Sequence, residues 1–168
     1  MENKYGLERY EIMYNDYVIV GPRNDEIACE SIEKKINNIF NKEKLFVSRD
    51  DDSGTHKKEI ELWNAIDLDP SKFNEWYIKI GQGMGKTLLF TNEKKGYTIS
   101  DRSTWLSFNK RENLKIICEN QPPLFNQYSI ILVNPKLNNN LNFKAAKKYI
   151  NWITSNEAKE IINNFKKD

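Results

Sequence analysis

The stretch from Phe46 to His56 constrains the fold of this chain more than any other part of it. A short apolar run over 46–48 gives way to charged residues and then to Ser53-Gly54-Thr55, where a helix can begin. Unpaired N–H groups in the first turn of a helix attract anions, and Arg49 adds a positive charge nearby. The stretch therefore has the outline of an anion site at the junction of a strand and a helix.

The same succession of strand, polar turn and helix recurs along the chain. Aromatic and β-branched runs predict strands over 10–20, 45–47, 76–80, 97–99, 114–118 and 128–135. The first of these strands is expected to be buried on both faces. Apolar residues at helical spacing predict helices over 31–42, 54–66, 86–94, 102–108, 143–153 and 157–165, and 138–140 is expected to be a loop. The alternation of strands and helices predicts an α/β fold.

Hydrophobic patterning also predicts which side chains are buried. In the helix over 54–66 we expect Ile60 and Trp63 to face the core, and Glu59 to lie on the solvated side with the neighbouring charges. The lysines of the helix over 31–42 are expected to lie opposite its isoleucines. All four tryptophans, at positions 63, 76, 105 and 152, fall on apolar faces, which predicts core packing for each.

Composition excludes several classes of protein. The 26 Lys and Arg against 24 Asp and Glu give a net charge of only +2, and the two signs are interleaved, so the sequence lacks the basic patch of a nucleic-acid binder. It contains no apolar run near the ~20 residues that a transmembrane helix needs. Its first residues lack the apolar core of an export signal, which taken alone predicts a cytoplasmic protein.

The two cysteines and the single histidine limit metal and redox chemistry. Cys29 and Cys118 lie far apart in different contexts, so we expect two unrelated small apolar residues, and neither a zinc pair nor a disulfide. His56 has no second imidazole with which to form a metal site. We therefore expect no metal and no cofactor.

Three local patterns suggest other chemistry, and each has a simpler interpretation. The acidic run over 50–52 lacks the alternating oxygen ligands and the closing glutamate of a calcium loop. The glycines over 81–85 lack the third glycine and the acidic partner of a dinucleotide loop, which favours a tight turn. Ser53 and His56 suggest a hydrolase, but the sequence has no Gly-x-Ser-x-Gly elbow, and we expect a binding protein instead of an enzyme.

Successive blocks of the sequence resemble the tungstate-binding proteins of ABC transporters. The resemblance follows the chain in order over nearly its whole length, and its most specific block runs from Ser48 to His56. The other blocks are Met13 to Pro22, Trp76-Tyr77 with Gly81 to Gly85, Tyr97 to Arg102, and the helix pair that includes Ala145 to Ser155. The resemblance implies a type II periplasmic-binding-protein fold, in which two α/β lobes joined by two hinge strands hold a tetrahedral oxyanion.

The resemblance also implies a domain organisation and a set of ligand residues. Residues 1–22 correspond to a remnant of lobe one with the first hinge strand, 23–127 to lobe two, and 128–168 to the second hinge strand with the last helices of lobe one. The implied ligand-binding positions are Arg49, Ser53, Thr55, Gly83, Met84, Ser100 and Asp101. The arginine would face the anion, and the other positions would offer hydroxyl groups or backbone amides from the turns that close over it.

Two departures from the family pattern matter. Asp50 stands where the family usually has glycine, so the loop either does not need a left-handed backbone or brings a carboxylate near the anion. The first half of lobe one has no counterpart, so we expect weak or no binding by this chain, with tungstate as the ligand and molybdate as the alternative.

The partners follow from the same resemblance. The full-length family implies an ABC permease as partner and an extracytoplasmic location, periplasmic or lipid-anchored. The alternative is a truncated fragment that binds no ligand and forms a homodimer through the exposed surface of its cut lobe.

Overall fold

The computed structural model describes residues 5–137 and 140–165. The strands of this part are β1 (Gly6–Pro22), β2 (Phe46–Ser48), β3 (Tyr77–Lys79), β4 (Thr98–Asp101), β5 (Leu114–Cys118) and β6 (Phe125–Val133). The α-helices are α1 (Ile32–Asn41), α2 (Gly54–Asn64), α3 (Met84–Lys94), α4 (Arg102–Ser107), α5 (Phe143–Ile153) and α6 (Asn156–Asn164). The expected α/β class is confirmed. Asn138 and Asn139, in the predicted loop, lie outside the described residues.

The chain divides into two compact units. Unit 2 runs from Asp16 to Phe125, and unit 1 consists of the described residues of 1–15 and 126–168. The first part of β1 belongs to unit 1 and its last part to unit 2. The assignment of 1–22, 23–127 and 128–168 to lobes and hinge strands stays a prediction.

Unit 2 is built on a layer of strands in the order β3-β2-β4-β1-β5. β2 pairs with β3 in parallel, with Val47 opposite Ile78. β4 lies on the other side of β2, joined by a parallel bridge between Phe46 and Tyr97. β1 runs antiparallel to both β4 and β5. Because β2, β3 and β4 point the same way, their carboxyl ends share one edge of the layer.

The apolar core of unit 2 covers both faces of this layer. Successive residues of a strand point to opposite faces, so β1 gives Ile19 to one cluster and Val18 to the other. The first cluster contains the isoleucines of α1 and the ring of Trp63, and the second contains Leu88 of α3. The predicted burial of β1 on both faces holds over residues 17–21, whereas much of its first part is exposed.

Two charged residues lie in this core, contrary to the prediction that they face water. Glu59 is 2% exposed because Ser48 Oγ, at 2.9 Å, and Tyr77 OH donate hydrogen bonds to its carboxylate. The side chain of Lys35 is 0% exposed, and its Nζ lies 2.6 Å from Asp25 Oδ2. Buried charges are tolerated when they are paired, and these partners come from other segments of the chain.

Cys29 and Cys118 form a disulfide, so the prediction of two unrelated cysteines is wrong. Their Cα atoms are 5.5 Å apart although 89 positions separate them in the sequence. The segment before α1 passes beside the end of β5, where Gln121 Oε1 also accepts a hydrogen bond from Ile32 N at 3.0 Å. Spacing along the chain did not reveal this proximity because it arises from tertiary structure.

Unit 1 combines the first part of β1 with β6, α5 and α6. β6 pairs with β1, and Asn134 N beyond its end donates to Tyr5 O at 2.9 Å. Many large apolar side chains of these elements are exposed, and Trp152 is 44% exposed. The core packing predicted for Trp152 is therefore wrong, although Trp63 and Trp105 are buried.

Among the described residues, none of the helices has the length and the apolar character needed to span a bilayer.

Candidate anion site

Three helices begin at the shared edge of β2, β3 and β4. α2 follows β2 after an acidic turn, α3 follows β3 after a glycine-rich turn, and the short α4 follows β4 directly. The first N–H groups of a helix have no intrahelical acceptor and form the positive end of the helix dipole. This edge therefore presents backbone donors from neighbouring turns on one side of unit 2.

The turn before α2 holds three of the predicted ligand residues. Ser53 caps α2, since its Oγ accepts a hydrogen bond from His56 N at 3.2 Å. Thr55 is buried in the first turn of the helix, and its Oγ1 lies 3.5 Å from Arg49 Nη1. Arg49 Nε in turn donates to Asp51 Oδ2 at 3.0 Å. The structure thus brings Arg49, Ser53 and Thr55 together at the start of α2.

Gly83 and Met84 lie at the start of α3, beside this turn. Gln82 N donates to Arg49 O at 3.2 Å, which fixes the glycine-rich turn next to the backbone of the arginine. Gly83 is exposed and caps α3 without a side-chain hydrogen bond. The side chain of Met84 packs in the core. Only the backbone N–H of Met84 can therefore face a ligand.

Ser100 and Asp101 lie at the end of β4. Ser100 is buried, and its Oγ donates to Asp101 O at 3.0 Å. The Asp101 carboxylate caps α4 by accepting hydrogen bonds from Thr104 N at 2.8 Å and Ser103 Oγ at 2.7 Å. Burial alone would raise the pKa of Asp101, but these hydrogen bonds outweigh it and lower that pKa. An ionised carboxylate repels anions, so this turn can offer a ligand its backbone and not the Asp101 side chain.

Asp50 has a left-handed backbone, with φ of 49°, at the position where the family pattern has glycine. Aspartate tolerates this region better than most residues. Its Oδ1 lies 3.6 Å from Lys79 Nζ and 3.9 Å from His56 Nε2. The expectation that this loop does not need a left-handed backbone is therefore wrong. Lys79 balances the negative charge of Asp50 in part.

A buried hydrogen-bond network lies beneath this edge, and sequence reasoning missed it. Glu59 connects Ser48 at the end of β2 with Tyr77 of β3, and its Oε2 lies 3.8 Å from His56 Nδ1. The nearby Glu59 carboxylate raises the pKa of His56, against the opposing effect of burial. Burial and the Glu59 charge raise the pKa of Tyr77. The available signal was the spacing of Thr55 and Glu59, which lie four residues apart on the buried face of α2.

Arg102, the first residue of α4, is held by carboxylates. Its Nε and Nη2 each lie 2.5 Å from an oxygen of Asp16, and Nη2 also lies 2.7 Å from Glu119 Oε2. The hydrogen bonds with Asp16 raise the pKa of Arg102. This arginine therefore fastens the start of α4 to β1, which distinguishes it from Arg49.

The serine and histidine of the hydrolase hypothesis do not form a nucleophile and base pair. His56 Nδ1 lies 3.3 Å from Ser48 Oγ, whereas Ser53 Oγ accepts the backbone N–H of His56. Across residues 5–137 and 140–165, no group of three or more His, Cys, Asp or Glu side chains is placed to hold a metal ion.

A surface cavity of about 560 Å³ lies at the other end of these strands. It is lined in part by Asp25, Lys44 and Tyr97, whose polar atoms are already paired with one another. The helix starts are the better candidate for an anion, since their N–H groups lack intrahelical acceptors.

Comparison with known proteins yields matches over nearly the whole chain. Residues 2–157 match the family model described as PBP superfamily domain. A tungstate-binding protein TupA of Peptoclostridium acidaminophilum is 41% identical over an alignment of 168 positions, which covers 97% of this chain and 58% of that protein. The chain thus spans less than two thirds of the length of this relative.

Two solved structures extend the likeness to three dimensions. The tungstate-binding protein TupA of Desulfovibrio alaskensis G20 is 38% identical, with a TM-score of 0.87 over 99% of this chain and 69% of that one. The tungstate ABC transporter structure from Geobacter sulfurreducens is 36% identical, with a TM-score of 0.80 over 98% of this chain and 70% of that one.

Proposed function

This chain belongs to the family of tungstate-binding proteins of ABC transporters, within the PBP superfamily, and we propose that it provides a half-site for a tetrahedral oxyanion, with tungstate as the preferred ligand and molybdate as the alternative. Its work in this proposal is non-covalent and needs no cofactor. Fixed donors replace the water around a dianion, as oxyanions bind well at helix N-termini and beside guanidinium groups.

The observation that carries the proposal is the grouping of Arg49 with the starts of α2 and α3. Thr55 Oγ1 lies 3.5 Å from the guanidinium, and the turn before α3 is hydrogen-bonded to the backbone of the same arginine. Arg49, the Ser53 hydroxyl group and the first amides of the two helices would contact the anion, joined by the backbone at Gly83-Met84 and Ser100-Asp101. The Asp101 carboxylate would stay a helix cap.

The remaining parts of the proposal concern partners and location. An intact protein of this family would present its bound anion to a membrane permease, and part of the length of the relatives has no counterpart here. We therefore propose weak binding by the 168-residue chain alone. An extracytoplasmic location is supported by the disulfide between Cys29 and Cys118, because disulfides persist in oxidising compartments.

A titration of the chain with sodium tungstate, sodium molybdate and sodium sulfate, followed by amide chemical shifts, tests the site. Arg49→Ala is expected to weaken tungstate binding by at least about tenfold, because it removes a charge-assisted donor. Arg23→Ala is the matched control, since Arg23 is exposed, carries the same charge and lies outside these turns. Equal affinity in wild type and Arg49→Ala, or shifts away from the starts of α2 and α3, would contradict the proposal.

A second candidate is an interaction fragment that associates through unit 1. It is favoured by the exposed apolar side chains there, which include Tyr14, Val133, Tyr149, Trp152 and Ile161. An apolar pocket of about 160 Å³ between β6 and α5 lies in the same unit. A large amount of exposed apolar surface is typical of interfaces.

Multi-angle light scattering separates the two candidates. The interaction fragment predicts a dimer that Trp152→Lys with Ile161→Lys converts to a monomer. The matched control is Asn151→Lys with Asn163→Lys, which makes the same charge change at exposed polar positions of α5 and α6. A monomeric wild type across the micromolar range would contradict the second candidate and leave the first unaffected.

A further inference from the structure

Asp51 is an acidic residue that contacts the arginine of the proposed anion site. Arg49 Nε donates to Asp51 Oδ2 at 3.0 Å, and Arg49 Nη2 donates to the same oxygen. The other carboxylate oxygen, Oδ1, accepts a hydrogen bond from Ser53 N at 3.2 Å. Asp51 therefore connects the guanidinium to the residue that caps α2.

The guanidinium is held on its other side by Thr55, whose Oγ1 lies 3.5 Å from Nη1. A guanidinium has five N–H donors, and Asp51 accepts from Nε and Nη2. One Nη1 hydrogen is directed at Thr55 Oγ1, so the other Nη1 hydrogen and the second Nη2 hydrogen have no acceptor among the contacts of the described residues. The side chains of Arg49 and Asp51 are only 15% and 21% exposed, so this arrangement is sheltered from water.

Two opposing effects of Asp51 on anion binding can be separated. As a negative charge, it repels an anion and so weakens binding. As a hydrogen-bond acceptor, it fixes a long flexible side chain before the ligand arrives, and this removes an ordering cost from the binding step. Burial alone would raise the pKa of Asp51, but hydrogen bonds from Ser53 and Arg49 outweigh it and lower that pKa, so the carboxylate is ionised at neutral pH.

On the premise of the proposed oxyanion site, we propose that Asp51 is a positioning residue that holds the Arg49 guanidinium against the start of α2, and that this positioning outweighs the repulsion between its carboxylate and the anion. Asp51 itself does not contact the ligand. Its effect on affinity passes through Arg49.

Asp51→Asn distinguishes the two effects by the sign of the change. Asparagine keeps an oxygen acceptor for Ser53 N and removes the charge that holds Arg49. Positioning predicts that Asp51→Asn weakens tungstate binding by about two- to twelvefold, which is the range expected for ordering one flexible side chain. Charge alone predicts tighter binding. Unchanged or tighter binding by Asp51→Asn would overturn the proposal.

Asp52→Asn is the matched control. Asp52 is the next residue and carries the same charge, but its side chain is 88% exposed and lies 3.4 Å from Lys57 Nζ. Removing this charge is expected to leave tungstate affinity unchanged or slightly tighter. A loss equal to that of Asp51→Asn would mean that the acidic turn acts through its overall structure, which would also overturn the proposal.

A double-mutant cycle tests whether Asp51 acts through Arg49. Lysine keeps the charge of Arg49 but lacks the planar fork that Asp51 holds. In an Arg49→Lys background, Asp51→Asn is expected to cause no further loss of tungstate affinity, and the removal of the negative charge is expected to leave binding unchanged or slightly tighter. Losses that add independently would show that Asp51 acts by another route.

A measurement on the ligand-free protein tests the role of Asp51 independently of the proposed oxyanion binding. Hydrogen exchange of the Arg49 Nε–H, followed by ¹⁵N NMR, is expected to be at least about tenfold faster in Asp51→Asn than in wild type or Asp52→Asn. Equal exchange in the three proteins would overturn the positioning role, provided that their thermal unfolding shows them folded. If wild type fails to bind tungstate, the proposed function fails while this exchange rate still decides the role of Asp51.

Discussion

The two ends of the β3-β2-β4 layer in unit 2 both carry charged residues, but they use them differently. At the end where these strands start, Asp25 accepts a hydrogen bond from Tyr97 OH at 2.7 Å and lies 2.6 Å from Lys35 Nζ, with side chains that are almost fully buried. At the end where the strands finish, Arg49 is partly exposed and helix amides lack intrahelical acceptors.

The comparison shows that buried charged groups pair with one another and stabilise the fold, whereas a partly exposed charged group can contact a ligand. Burial alone would raise the pKa of Asp25, yet hydrogen bonds from Lys35 and Tyr97 outweigh it and lower that pKa. Burial and the hydrogen bond to Asp25 raise the pKa of Tyr97. The charged and polar groups of this cluster are paired with one another, so they are not available to an anion in the cavity beside them. At the opposite edge, the first backbone N–H groups of the helices have no acceptor within their own helix.

The largest expected effect comes from breaking the buried cluster. Lys35→Met leaves the Asp25 carboxylate buried without its closest cation, and we expect it to lower the free energy of unfolding by about 3–5 kcal/mol. Lys34→Met is the control, because Lys34 pairs with Glu30 at 2.6 Å on the exposed surface and is expected to change stability by less than about 1 kcal/mol. Urea denaturation measures both. Similar losses in the two variants would contradict the difference between the buried and the exposed charge pair.

The disulfide tests the same contrast, because Cys29 lies in the segment that contains Asp25. Replacing Cys29 and Cys118 together with serine is expected to lower the free energy of unfolding by about 2–4 kcal/mol, since the bond closes a long loop between residues 89 positions apart. Wild type treated with dithiothreitol should lose a similar amount, while the double variant should not respond to the reductant. Oxyanion affinity should be unchanged where the protein is folded, and a large loss of affinity would contradict the separation of the two ends.

At the proposed anion site, Ser53→Ala is expected to affect both the stability of the protein and its binding of tungstate. The loss of the N-cap lowers the free energy of unfolding by about 1 kcal/mol, and the loss of the hydroxyl group weakens tungstate binding. Ser31→Ala is the matched control, because Ser31 caps α1 in the same unit by accepting from Lys34 N at 3.2 Å. It should cost a similar stability and leave binding intact. Equal effects of the two variants on tungstate affinity would remove Ser53 from the site.

Local patterns predicted the elements of this fold well because they depend on neighbours in the sequence. The apolar spacing of α1 and the strand-to-helix junction at Ser53 place both helix starts within one residue of the structure. The same junctions, together with the family resemblance, indicated which turns lie near Arg49. The predicted ligand roles remain predictions, whereas the structure shows Arg49 grouped with the turns before α2 and α3.

The errors concern side chains whose partners are distant in the sequence. Glu59 is buried because Ser48 and Tyr77, 11 and 18 residues away, donate to it. The disulfide joins residues 89 positions apart. Helical periodicity reports which face of a helix is apolar, but it carries no information about a compensating donor from another strand. The contact of Asp51 with Arg49 is different, since the two residues are neighbours in the sequence, and the charge pattern alone did not distinguish it from an acidic surface turn.

The smallest predicted effect is a pH dependence of stability that arises from His56, near the proposed anion site. The pKa of His56 is raised above its ordinary value of 6.5, chiefly by Glu59, so the folded state binds the proton more tightly than the unfolded state. The resulting stability is fully present below about pH 6.5 and is lost as pH rises through the higher folded-state pKa. We expect a decrease of less than about 1 kcal/mol, because His56 is only partly buried. Thermal unfolding between about pH 5.5 and 8.5 measures it, and His56→Gln should remove this pH dependence. A slope that persists in His56→Gln would assign it to another group and would leave the Glu59 network without a proton-linked role.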